Sequence, residues 1–179
     1  MRSAILVLVT AAIVGCDGRD GEMVLPDGLA ALELQAAETD AQRYLGVGAK
    51  ILAVCGSSKG VSLYSDELAK GFEDDGITGG VIVFASRQDG RPEVLSRDIT
   101  KQMIVASEDT AEISRIGEKS TDATGVWVLQ YPSTGVVISY NLSPSADGKL
   151  LNIWTQNKPA VGPLPPRTST FLSRCETRL

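Results

Sequence analysis

The amino-acid sequence predicts a mainly β protein, a small antiparallel β barrel or sandwich preceded by one amphipathic helix. Three observations predict it. After Gly48 the chain becomes a series of short apolar, β-branched runs separated by turn residues, with little 3.6-residue periodicity. Two of the breaks are Asp-Gly pairs, Asp89-Gly90 and Asp147-Gly148, which is the local chemistry of tight reversals. Within residues 136–142, Val136, Ile138, Tyr140 and Leu142 share one face while Val137, Ser139 and Asn141 take the other, the period of two of a half-buried strand.

The helix is expected over residues 29–46. Leu29, Leu32, Ala36 and Tyr44 fall near one face, Glu33, Glu38, Asp40 and Arg43 mark others, and Gly46 stands where a helix stops. Its apolar face is expected to pack on the domain, the other option being a partner-binding element outside it. Strands are then expected at 50–55, 61–64, 81–86, 93–99, 103–106, 113–116, 126–131, 136–142, 150–156 and 169–174. The two Asp-Gly pairs and the stretch from Pro132 to Gly135 each separate two runs and read as hairpin turns. Pro163, Pro165 and Pro166 mark a stiff, extended connection before the final strand; the segment is similar to a polyproline ligand, but a loop is the reading adopted.

Upstream of the helix lies a leader. A single Arg2 is followed by an uncharged apolar run that ends in Ile13, Val14, Gly15 and Cys16. The run from Ala4 to Val14 is about half the ~20 residues a membrane-crossing helix needs, so it reads as a cleaved signal peptide over residues 1–15. Residues 13–16 resemble the lipobox of bacterial lipoproteins. The resemblance implies a palmitate-type acylated Cys16 at the new N-terminus and a domain held in the periplasm at the cell envelope. Several acyl chains anchor stably where one binds only marginally. Asp17 resembles an inner-membrane retention signal. An ordinary signal peptide with a chance cysteine is the competing reading. Residues 16–28 are polar apart from Met23, Val24 and Leu25, and read as a tether.

Removing residues 1–15 leaves 164 residues, one domain's worth, with the β domain expected over 50–176. The whole chain has 17 basic and 22 acidic residues, and the leader contains one of the basic ones. The remaining net charge of about −6 argues against nucleic acid and anionic lipid surfaces as partners. With Cys16 assigned to lipid, Cys55 and Cys175 are left in a compartment where disulfides persist, and they are expected to pair rather than stay as buried thiols.

The chain contains no histidine. That excludes a Ser-His-Asp triad, a Cys-His dyad and histidine metal sites, and with so few thiols no metal or cofactor is expected. Gly56, Ser57, Ser58, Lys59 and Gly60 spell G-x-S-x-G, yet a nucleophile elbow needs a base, and S-x-x-K spacing is not met. Nor is it a phosphate loop, which needs two glycines five apart followed by lysine. It reads as a Gly/Ser turn joining two strands. Glu73, Asp74, Asp75 and Gly76 lack the ligand spacing of a calcium loop and read as an acidic solvated turn. Glu67, Asp74 and Asp75 keep carboxylate catalysis open, although no catalytic residue is assigned.

Taken together, Cys55-Gly56 with Ser58 and Gly60, Asp75-Gly76-Ile77 with Gly79 or Gly80, Trp154-Thr155-Gln156 and Cys175 resemble a set of small uncharacterised exported proteobacterial proteins. What the resemblance implies is architecture. Beside carboxylate catalysis, two classes of function follow from the residues. The leading one is a non-enzymatic envelope lipoprotein whose β domain binds another protein. A special case is inhibition of a cationic hydrolase such as lysozyme, by architectural analogy alone, with Ser57, Ser58, Lys59 and Gly60 as the contact turn. The alternative is a lipocalin-like barrel with Trp127, Tyr131, Tyr140 and Trp154 lining a cavity for an apolar ligand, for which G-x-W occurs at Gly125 and Trp127.

Overall fold

The structure, a computed structural model, describes residues 27–178 apart from 67–70, 78–79, 99, 118–121, 161 and 164. The lipobox at 13–16, Asp17 and Glu67 lie outside the described residues. Helix α1 (Asp27–Leu45) ends at Gly46, whose φ of 79° is the left-handed stop that glycine tolerates and whose N–H bonds the Gln42 carbonyl at 3.0 Å. Strands follow as β1 (Lys50–Cys55), β2 (Ser58–Tyr64), β3 (Glu73–Ile77), β4 (Val81–Ser86), β5 (Pro92–Arg97) and β6 (Met103–Val105). Then come β7 (Glu112–Ile116), β8 (Gly125–Tyr131), β9 (Val136–Pro144), β10 (Leu150–Lys158) and β11 (Arg167–Thr177).

All the pairings are antiparallel, and the main path is β6-β5-β4-β1-β11-β10-β9-β8-β7, curled into a half-barrel. The reversals expected at Asp89-Gly90, Pro132 to Gly135 and Asp147-Gly148 join β4 to β5, β8 to β9 and β9 to β10. β11 carries β10 along one edge; along the other it carries β2 against its first half and β1 against its last residues. β1 and β2 are therefore one line of chain running in one direction.

That corrects the reading of Gly56 to Gly60 as a turn. The chain does not reverse there: Cys55 faces Cys175 and Lys59 faces Leu172, so four steps on one strand match three on the other, a β-bulge. Gly56 N–H still bonds the Arg174 carbonyl at 3.0 Å. At the bulge the partner on the far edge changes from β4 to β3.

The acidic stretch is likewise strand rather than solvated turn. β3 pairs with β2, with Asp74 opposite Val61 and Asp75 opposite Gly60. Alternation separates the two carboxylates: Asp74 is exposed, while Asp75 is half-buried and ion-paired to Arg167. Charge on an edge strand also discourages further pairing.

Two apolar clusters divide the molecule. The concave face of the sheet packs Leu52, Phe84, Trp127, Leu129, Tyr140, Trp154 and Phe171 against one another. The convex face of β1, β4, β5 and β6 packs Ile51, Val54, Val83 and Leu95 under α1. The helix turns a different face to the sheet than its larger residues suggest. Ala37 and Ala41 are fully buried with Leu34 and Leu45 beside them, whereas Leu32 is 61% and Tyr44 53% exposed, and Ala36 is exposed too. Small residues at the contact let the two backbones approach, and two ion pairs hold this rotation, Glu38 to Arg178 at 2.8 Å and Asp40 to Arg97 at 3.5 Å.

Candidate functional site

Cys55, Ser58, Gly60, Trp154 and Cys175 meet where β1, β2, β10 and β11 come together. Cys55 and Cys175 are buried cross-strand partners bonded through their sulfurs. Ser58 is buried and accepts a hydrogen bond from Trp154 Nε1 at 3.0 Å. Gly60 lies under Phe171, where a Cβ would come within 2.6 Å of the ring, and that ring stacks on Trp154 at 4.2 Å. Arg167 ion-pairs with Asp75, donates to Ser62 and Ser169, and lies over the Tyr64 ring at 5.1 Å. Ser62 and Ser169 are buried and share a hydrogen bond of 2.6 Å. This polar clasp bridges β2, β3 and β11. Sequence reasoning missed it, because serines and an arginine inside β-runs carry no spacing signal until the strands are paired.

The rings expected to line a ligand cavity fill the interior instead. Trp127, Phe84, Tyr140, Trp154 and Phe171 form an unbroken series, with centroids 5.2, 5.2, 5.7 and 4.2 Å apart in that order. None of the five is more than 5% exposed. Trp127 Nε1 donates to the Ala123 carbonyl at 3.0 Å, as a buried indole N–H must find a partner. Burial on all sides raises the Tyr140 phenol far above its ordinary range, and burial also raises Tyr131, which sits half-buried at the edge of the same cluster. Grooves on the surface are open: one of about 380 Å³ runs between Leu63, Pro159 and Pro166, another of about 480 Å³ between Arg87, Pro92 and Ile113.

The second groove follows the seam where β5 faces β7. Glu93, fully buried, closes it. Arg87 donates to one carboxylate oxygen through Nε and Nη2 at 2.8 and 2.6 Å, joined by the Ser107 hydroxyl. The other oxygen accepts the Val94 and Ser107 backbone N–H groups at 3.1 and 3.2 Å. A carboxylate saturated this way is a fastener rather than a reactive group. Among the described residues, no three His, Cys, Asp or Glu side chains are grouped to hold a metal ion, and no helix is long and apolar enough to cross a membrane.

The four residues of the expected contact turn divide by alternation. Ser58 is buried and Gly60 is sealed beneath Phe171, while Ser57 and Lys59 are exposed. Lys59 belongs to a row crossing the convex face of the open half-sheet: Ile116, Val126, Asn141, Ile153, Leu172 and Lys59 stand in register from β7 to β2. Within it Ile116 is 66%, Ile153 46% and Leu172 48% exposed. The next row is Val128, Ser139, Thr155, Thr170 and Val61, with Ser139 and Thr155 sharing a 2.8 Å hydrogen bond. The period-two pattern could have revealed this face, since its outward positions are β-branched or aliphatic more often than charged. Comparison with protein-family models, curated proteins and solved structures finds no match, so the chemistry rests on these residues alone.

Proposed function

We propose that this chain is a non-enzymatic envelope lipoprotein, anchored through acylated Cys16, whose β domain recognises another protein with the open convex face of β8, β9, β10, β11 and β2. The observation that carries the reading is the exposed row Ile153, Leu172 and Lys59 on the convex side of paired strands. Exposed aliphatic residues beside a cation on a rigid surface are the composition of a protein contact. The ring-filled interior favours this over the ligand barrel. The hydrolase-inhibitor version, in which a projecting turn enters a partner's cleft, loses its support because Ser58 and Gly60 face inward along a strand.

The test is a photoreactive phenylalanine analogue placed at Leu172 in intact cells, with the same group at Asp147 on the β9 to β10 turn as control. A reproducible protein adduct from Leu172 and none from Asp147 is expected. Equal labelling from both positions, or none from Leu172, overturns the reading.

A further inference from the structure

The chain is acidic, with 17 basic against 22 acidic residues, yet one face of it holds no acid. On β8, β9, β10, β11 and β2 the paired stretches 126–130, 137–143, 151–157, 168–174 and 59–63 contain neither Asp nor Glu. Their outward positions carry aliphatic, hydroxyl or amide side chains with two exceptions, Lys59 and Arg174, both cations and both exposed. Acids stop at the margins: Glu112 stands opposite Gln130 on β7, and Asp74 opposite Val61 on β3. Glu176, the next outward residue of β11, lies opposite Val54 in the half covered by α1 and ion-pairs with Arg178 at 2.8 Å.

The β-bulge sets one of the two cations in place. Side chains alternate along a strand, so with Cys55 turned inward opposite Cys175 an unbroken strand would turn residues 57 and 59 inward as well. The extra residue of the bulge reverses the phase. Ser58 and Gly60 meet the ring cluster, and Lys59 comes out opposite Leu172. Arg174 is two residues from Leu172 on the same strand, so Lys59 and Arg174 are diagonal neighbours about 8 Å apart. Exposed Leu172 and Ile153 lie beside them.

We infer that the protein bound by this face presents an acidic surface, with its carboxylates on Lys59 and Arg174 and its apolar atoms against Leu172 and Ile153. The inference rests on the protein-contact reading of the convex face and names the chemistry of the partner. Two cations framed by aliphatic residues, with acids at both margins, suit a local group of carboxylates. A polyanion such as a nucleic acid or an anionic leaflet meets the repulsion of the whole chain. A second copy bound through the same patch sets cations against cations.

The test keeps the photoreactive group at Leu172 of the full chain in intact cells and varies the charges around it. Lys59→Glu combined with Arg174→Glu should cut the protein adduct by about tenfold or more, because like charges then face each other. Lys59→Gln with Arg174→Gln, a milder second pair, should cut it less but in the same direction. Lys59→Arg with Arg174→Lys should keep it, as should Lys149→Glu on the β9 to β10 turn. The partner peptide joined to Leu172, sequenced by mass spectrometry, should carry Asp or Glu. An undiminished adduct in both charge-removing pairs, or a partner peptide without acids, overturns the inference and leaves the protein-contact reading standing. Equal loss in Lys149→Glu, or loss in the charge-conserving pair, overturns it too, since the effect then does not belong to these two cations. An adduct to phospholipid, or to a peptide of this chain itself, overturns it in favour of a membrane or a second copy. No adduct from Leu172 in the otherwise unaltered protein overturns the inference and the protein-contact reading together.

Discussion

Strands β4 and β9 both lie in the interior of one antiparallel sheet, yet they follow different residue patterns. β4 reads VIVFAS and is buried at every position but the last, because Ile82 and Phe84 face the ring cluster while Val81, Val83 and Ala85 lie under α1. β9 reads VVISYNLSP and alternates, Ile138, Tyr140 and Leu142 inward and Ser139 and Asn141 outward, because nothing among the described residues covers its convex side. A continuous apolar run usually signals a parallel strand buried on both faces. Here it signals an antiparallel strand under a helix. The lesson is that such a run reports coverage on both faces, while strand direction must be read from the turns.

The largest expected effect sharpens that contrast. Phe84→Ala should cost about 3–5 kcal/mol and Leu95→Ala about 2–5 kcal/mol, since both open a cavity in the covered half. Leu172→Ala, with a comparable loss of volume on the open face, should stay within about 0.5 kcal/mol. Denaturant midpoints measured at constant slope check the three together, and a Leu172 variant as costly as Leu95 would break the comparison.

Next in size is the junction between the halves. Cys55 and Cys175 join β1 of the covered half to β11 of the open half, with 120 residues of separation. The paired Cys55→Ser and Cys175→Ser variant should lose about 2–4 kcal/mol. Hydrogen exchange should show protection falling along both β1 and β11. Loss confined to one of them would mean that the halves are held together mainly by side-chain packing.

The smallest effect is alkaline. Tyr140 in the open half is raised above its ordinary value by burial, so its neutral form contributes stability that is fully present below about pH 10 and is lost as pH rises past the unfolded value. Stability measured across that range should decline in the native protein. It should decline less in Tyr140→Phe, with the residue of the slope coming from Tyr131, whose phenol is raised in the same sense.

The sheet was legible wherever apolar residues dominate a run. The stretches 50–55, 81–86, 126–131 and 136–142 all fall in strands. β3 was hidden because EDDGI carries three acids, and the partner of the inward one, Asp75, is Arg167, nearly a hundred residues away and invisible to local pattern. The helix was found, but the wrong face was assigned to the core, because Leu32 and Tyr44 outweigh Ala37 and Ala41 in apolar area while the alanines permit closer approach. The bulge at Gly56 and Ser57 was taken for a reversal because glycine and serine mark both. Only the register against β11 tells them apart. Of the candidate site, Lys59 and the disulfide were within reach of the sequence. The outward aliphatic positions such as Ile153 and Leu172 could be read from period two, but their joining into one row required knowing which strands are neighbours.

One consequence of the fork at β11 concerns the order of events when the domain is made. β11 follows every strand it joins, yet it lies in the middle of the sheet and is the seam for β1, β2 and β10. The β8 to β10 meander, and the β2–β3 hairpin with the β1–β4 pair that brackets it, can each assemble from near neighbours. They remain two separate pieces with unsatisfied inner edges until the last segment threads between them. Such long-range closure is intrinsically slow and leaves strand edges open to wrong partners in the meantime. Completion of the sheet therefore waits on β11, which must find edges on strands made long before it.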